Sequence, residues 1–507
     1  MRSYLSHLQS IKGESKEAVI SRASSLFPVQ CTEQVQTRLL FMNYWHLKRG
    51  VREVNARCTL RNQLGEELHK KEFPIDEVRA YSIEVQDLLK EINRSHPFQG
   101  TVELEFFSST PLVFPFPAVT INYYGPDFST VVHTTERTYN DEGDEAANTR
   151  STPPESGFNV IEEEGIHSFI TLVNGKEQRD LQQIEATLVN SMGKEATFSI
   201  PLGVAEPYQL YWLKLSDYFD VGTFLNHELG AVRLTLPPLG AFPRLLVGNA
   251  SKKALSITHS YYDCSTLKGE ENYWQENQPE WHAATLMLPL YEKEQRSAVT
   301  FYPIFSPSQF TIDAELYDQE GKLLKTLEHL YDSHQKGPCT HLIEAKGARA
   351  VRMIARTEKG TRLPSRVKIA LDVTATGELG SNICTNLQPF IPELDQKPFT
   401  FKWAPLLNQK GFTSWITLVN SSQHVNYNRE ADISLTFYRE EDSETLTRSL
   451  RLAPHGSTTI QLPKDKELLQ FLGDKGGWMT ATSDNPYILS YYFIKSPSGN
   501  IGGDHGY

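Results

Sequence analysis

Hydrophobic and polar residues alternate one by one in four separate stretches of this chain. Val54, Ala56, Cys58 and Leu60 alternate with Asn55, Arg57, Thr59 and Arg61. Ile184, Ala186 and Leu188 repeat the pattern, as do Phe310, Ile312, Ala314 and Leu316, and then Ile433, Leu435 and Phe437. A period of two is the mark of a β-strand with one buried face. A tight turn follows each strand, with Gly65, Gly193, Gly321 and Asp442 in the same place, 128, 128 and 121 residues apart. Three turns open with Asn or Asp and close with Gly (Asn62–Gly65, Asn190–Gly193, Asp318–Gly321), a type I pattern; the fourth, Arg439–Asp442, has lost the glycine.

The flanking segments repeat too. Phe169–Asn174 and Trp415–Asn420 are nearly identical, and Leu39–Tyr44 and Val299–Ile304 hold the same place in the other two copies. These upstream segments are expected to be strand partners of the alternating strands. Downstream, a Gly opens a further strand at Gly100, Gly230 and Gly347. Helical periodicity is scarce: single turns at 87–92 and 466–471, and a short amphipathic segment before residue 30 carrying Leu5, Leu8 and Ile11. The prediction is all-β, with four tandem immunoglobulin- or fibronectin-like β-sandwich repeats after a short N-terminal helical segment. The expected divisions are a helical extension over 1–30 and sandwiches over 31–150, 156–275, 280–390 and 396–507. In general layout the repeat resembles immunoglobulin and fibronectin type III modules. It lacks the Cys…Trp…Cys framework of antibody domains, and the resemblance names no family.

Composition narrows the function classes. Fifty Lys and Arg against 62 Asp and Glu give a net charge of −12, which repels phosphate, so nucleic acid is not an expected partner. No apolar run reaches the roughly 18 residues of a membrane span, and the N-terminus lacks a signal-peptide core. A cytoplasmic location is expected, with export by a route lacking a classical signal as the alternative. The cysteines, five in number, include no Cys-x-x-Cys pair, so neither a zinc knuckle nor a disulfide framework is indicated. Walker, HExxH, GxSxG and GxGxxG motifs are all missing.

One constellation repeats with the fold. Pro117, Pro243, Pro364 and Pro486 introduce the closing strands of the four copies, and His133, His259, Cys384 and His505 follow 16, 16, 20 and 19 residues later. Imidazole and thiol bind soft metals and act as bases near neutral pH. Asp263 and Asp504 lie beside two of these positions and could orient an imidazole or ligate. The plainer expectation is that each His serves its own local turn, copied with the repeat. Convergence of His133, His259, Cys384 and His505 on a metal would require the four modules to close into a ring. The glycine-rich tail, 496–507, is expected to fray, although it fills the slot of the other copies' closing segment.

A second candidate set is aromatic. Tyr123, Tyr124, Tyr261, Tyr262, Trp274 and Trp281 cluster near the ends of the first two copies, where flat rings beside polar residues suit sugar or peptide recognition. Packing of domain joints is the structural alternative. The favoured function is a non-enzymatic multi-domain scaffold or binding protein whose ligand is a protein or a surface polysaccharide, with self-association through exposed strand edges a further option. No cofactor is predicted apart from a metal at the His/Cys set. The rival is a carbohydrate-active or metal-dependent enzyme with a pocket at a domain junction and His133, His259, Asp263, Asp504 or His505 in catalytic roles. Whether those side chains meet separates the two.

Overall fold

A computed structural model describes residues 20–112, 118–133, 136–138, 154–263, 273–274, 276–291, 295–306, 308–358, 360–375, 379–397 and 399–506. Within them the chain is all-β, built from antiparallel sheets in four sandwich modules. One sheet of each module centres on the alternating strand: Asn55–Asn62, Gln183–Val189, Phe310–Tyr317 or Ala431–Arg439. This strand pairs on one side with the strand after its turn and on the other with the Gly-opened strand. The predicted alternation appears as burial, clearest at Phe310–Tyr317 and Ala431–Arg439.

The upstream segments are not partners of the alternating strands. Gln36–Met42, Ile166–Val173, Gln295–Phe301 and Phe412–Asn420 lie in the opposite sheet, each between the same two neighbours of its own module. Ile166–Val173 is buried along an unbroken run from Ser168, as a strand must be when both its faces are covered. A common four-strand order therefore runs through both sheets of every module, with a fifth strand added to one sheet in modules two and three, and the two sheets of module four joined where Gln409 pairs with Phe412.

The expected N-terminal helical extension is corrected in part. Ser21–Cys31 is a strand, paired along its whole length with Phe98–Ser108, so the first sandwich begins about ten residues before position 31. Pro28 and the apolar run around it suit an extended chain and would break a helix. Residues 1–19, with Leu5, Leu8 and Ile11, lie outside the described residues, as do Pro117 and the acidic stretch 139–153. The two single-turn helices are present as Val85–Glu91 and Lys466–Leu472. The tail does not fray: Ile501–Gly506 is the closing strand of module four, paired with Ser490–Lys495.

The repeated glycines have a purpose the turn pattern alone does not reveal. Gly65, Gly193 and Gly321 all have positive φ, and each presses on the following module. A Cβ at Gly65 would lie 1.9 Å from the Pro207 carbonyl oxygen, at Gly193 2.3 Å from Lys336 Cβ, and at Gly321 2.1 Å from the Pro454 carbonyl oxygen. Backbone bonds fasten two of these joints, Leu210 N to Gln63 O at 2.9 Å and Ser457 N to Gln319 O at 3.0 Å. The turn of module four reaches module one instead, where Arg79 Nη1 donates to the Glu440 carbonyl at 2.7 Å. Each module thus hands its hairpin turn to the next, and the fourth hands its own to the first. The four modules close head to tail.

Candidate functional site

The centre of this ring is formed by the four closing strands, Phe128–Val132, Leu255–His259, Ser381–Asn386 and Ile501–Gly506. They pack in a closed cycle, first against second, second against third, third against fourth, fourth against first. A polar side chain spans each joint. Thr130 Oγ1 donates to Ile257 O at 3.0 Å and accepts from Ile257 N at 3.1 Å. Thr258 Oγ1 accepts from Cys384 N at 3.4 Å, and Ser381 Oγ from Gly503 N at 3.0 Å. Asp504 Oδ2 accepts from His133 N at 2.9 Å. The tail glycines allow the close approach: a Cβ at Gly502 would lie 2.0 Å from the Ser129 carbonyl oxygen.

Because the strands converge, the histidines at their ends meet. The expectation that each serves its own turn is therefore corrected. His133 and His259 have ring centroids 4.9 Å apart, and His133 and His505 4.6 Å. With Asp504 they form a group in which each residue offers one ligand atom and all four atoms lie within 4.8 Å of one another. His133 Nδ1 is 2.7 Å from Asp504 Oδ2, and His505 N donates to Asp504 Oδ1 at 2.8 Å. His259 Nδ1 is 3.0 Å from the Ser260 carbonyl, which can only accept, so Nδ1 carries the proton and Nε2 bears the lone pair. That Nε2 is buried and makes no hydrogen bond to any described residue. Tyr261 Oη lies 3.1 Å from His505 Nε2.

The electrostatics follow from burial. The His133 and His505 imidazoles are pushed down to about 3, first by desolvation and then by nearby charge, and His259 falls well below its ordinary range for the same first reason. The rings are therefore neutral nitrogen donors at physiological pH. Burial raises the Asp504 carboxyl, an effect opposed by the imidazoles and the two backbone N–H groups. Three neutral imidazoles and one carboxylate can hold a divalent cation or form a hydrogen-bonded buried network.

Two of the proposed partners stand apart. Cys384 occupies the third module's slot, but its thiol donates to the Gly157 carbonyl. Burial pushes that thiol up to about 12, which keeps it protonated and unfit as a thiolate ligand. Asp263 is taken by Arg233 Nε at 3.0 Å and Lys368 Nζ at 3.8 Å.

The aromatic set does not gather into a recognition surface. Tyr123 is core, its hydroxyl donating to the Pro28 carbonyl at 2.5 Å. Tyr124 lies beneath Arg38, with its hydroxyl 2.7 Å from Glu84. Tyr262 donates to the Pro243 carbonyl at 3.0 Å. Trp274 packs on the core of module three, and Trp281 stacks on Phe390 at 4.5 Å. Of the six only Tyr261 reaches the His cluster.

A feature the sequence reading missed is an outer cleft of about 530 Å³ where modules one, three and four meet. Lys48, Lys397 and Lys402 line it with Ile391, Phe399 and Tyr487, and its described lining holds no carboxylate. Lys402 is pushed down to about 8 by burial and by the charges of Lys397 and Lys48. Phe399 is 53% exposed at the rim. The available signal was Lys397-Pro-Phe-Thr-Phe-Lys402, where base and ring interleave at the start of the fourth expected sandwich.

No protein-family model matches the chain, and no curated protein matches it. Among solved structures, the FN1–FN3 domains of chicken CNTN1 are 11% identical, covering 70% of this chain and 96% of theirs, with a TM-score of 0.09. A likeness that low carries no argument. Among the described residues no helix is long and apolar enough to cross a membrane.

Proposed function

We propose that the protein is a non-enzymatic scaffold that binds an acidic polysaccharide in the cleft between modules one, three and four. The supporting observation is local charge. The chain carries a net −12, yet this cleft sets three lysines together with no carboxylate among its described lining residues. Lys402 in particular keeps an ammonium where burial and two like charges oppose it. A ligand anion relieves that repulsion, and the exposed Phe399 ring offers a flat apolar face for a sugar. The His cluster argues for scaffold over enzyme. A catalytic metal keeps an open position for substrate, whereas the His133, Asp504 and His505 side chains are 1%, 3% and 15% exposed and His259 is fully buried.

The test is titration calorimetry of the full chain with polygalacturonate, with neutral dextran and polyglutamate as further arms. Binding to polygalacturonate that weakens with salt, and falls about tenfold or more in Lys397→Glu, is the expected result. No binding at low salt, equal binding of dextran, or preference for polyglutamate would overturn the polysaccharide assignment.

A further inference from the structure

We propose that His133, His259, His505 and Asp504 form a transition-metal site, with zinc the best-suited ion, that locks the four-module ring from inside. The residues come from modules one, two and four, and each sits on or just after a closing strand. No two of the imidazoles belong to one module, so an ion here would tie three modules through one atom.

Three properties point to a ligand set rather than a copied turn residue. The first is the wholly buried Nε2 of His259, whose hydrogen-bonding capacity no described residue meets although the opposite nitrogen is fixed by the Ser260 carbonyl. A backbone carbonyl holding one imidazole nitrogen so that the other faces inward is the usual outer support of a metal-bound His. The second is His133 Nδ1 lying 2.7 Å from Asp504 Oδ2, which already brings an imidazole nitrogen and a carboxylate oxygen from two modules within the spacing of neighbouring ligand atoms. The third is composition: three imidazole nitrogens and one carboxylate oxygen suit zinc, and among the described residues no second carboxylate joins the group to favour calcium or magnesium.

The geometry is near closure. Zn–N distances of about 2.0–2.1 Å put tetrahedral ligand atoms about 3.3 Å apart, against the 4.8 Å span of these four. Side-chain rotation of about 1.5 Å or less bridges the gap, which leaves the strands in place. Cys384, although in the equivalent slot, is excluded because its thiol is committed to Gly157.

The experiment uses the full chain, stripped with chelator and then offered zinc or cobalt. Expected results are one zinc per chain by elemental analysis after gel filtration, visible cobalt absorption of tetrahedral intensity, and a Tm that rises until one equivalent is added. His259→Gln should weaken zinc by more than the roughly 10–100-fold typical of losing an outer-shell partner, while Cys384→Ser should retain it. A folded parent protein that keeps no zinc and shows no Tm shift would overturn the site. So would equal zinc affinity in parent and His259→Gln. Should that variant fail to fold, Asp504→Asn and the parent's own zinc-dependent Tm decide in the same way.

Discussion

The joints between consecutive modules and the joint that closes the ring are built differently. At the first three, a glycine turn with positive φ is pressed on the next module, against a backbone carbonyl at Gly65 and Gly321 and against Lys336 at Gly193. At the fourth, Asp442 replaces the glycine and side chains carry the contact. Arg79 meets the Glu440 carbonyl, Arg38 reaches Gln409 at 3.2 Å, and Tyr124 meets Phe412 edge-on at 5.2 Å. Copied backbone geometry holds the repeats in series; new side-chain chemistry shuts the circle. The lysine cleft opens beside this same joint, with Lys48 from module one facing Phe401 and Lys402 of module four. The joint freed from the glycine pattern is the one where a binding surface could form.

The sharpest way to break this comparison is Gly321→Val. The new side chain meets both a φ of 83° and the Pro454 carbonyl. A loss of about 3–5 kcal/mol is expected from strain and clash together, read as the shift in denaturant midpoint. A loss below about 1 kcal/mol would show that the turn does not bear on its neighbour.

Arg38→Met attacks the closing joint. Arg38 is fully buried, with Nε 2.8 Å from Asn122 and its guanidinium 4.0 Å above the Tyr124 ring, and burial holds it below the ordinary arginine range. Removing one member of a buried ion pair costs about 3–5 kcal/mol, but Glu84 keeps some solvent, so about 2–3 kcal/mol is expected. Unfolding of the variant should lose coincidence between probes as module one parts from module four. A neutral result would place the closing joint elsewhere.

The strand repeat was legible because a period of two survives any change of side chain that keeps polarity, as Ile184–Leu188 and Ile433–Phe437 do. Sheet partnership was not. Phe169–Asn174 is equally apolar whether it pairs with the alternating strand or covers it from the opposite sheet. The candidate His133, His259, Asp504 and His505 were legible as equivalent positions, but their meeting depends on ring closure, which no local pattern encodes. Cys384 illustrates the limit: the slot was right, and a positive-φ Gly157 one module away decided where its thiol points. Lys48 and Lys402, 354 positions apart, could not be paired from sequence.

Lys402→Met should stabilise the fold while weakening ligand binding, the opposed signs expected of a residue kept for function. The folded chain releases the Lys402 proton near pH 8 and the unfolded chain near its ordinary value of 10.5. Between these values the unfolded state holds more protons, so wild-type stability rises with pH across this window. The cost of Lys402 is full below pH 8 and gone above about 10.5. Linkage caps the gain at about 3.4 kcal/mol and the partial exposure of Lys402 reduces it, so the variant should gain on the order of 1–2 kcal/mol at pH 7 and nothing near pH 11, a contrast that chemical denaturation at the two pH values reads directly. Polygalacturonate binding by the parent should fall as pH passes 8. A variant less stable at pH 7 would place the ammonium in a favourable contact.

Asp442→Gly is the gentlest probe and the most direct on the difference between the joints. Asp442 accepts from Arg439 at 2.7 and 2.5 Å and from Glu444 N at 3.0 Å, which holds the turn without positive φ. Restoring the glycine of the other three copies removes these contacts, while the bond that joins this turn to module one, from Arg79 to the Glu440 carbonyl, lies two residues before the substituted position. The expected Tm change is within about 2 °C. A clear rise would mean that the fourth turn still prefers the geometry of the other three, and that the closing joint is a weakened copy of theirs. An unchanged Tm, beside the large loss in Gly321→Val, would establish that glycine is required only where one module's backbone rests on the next.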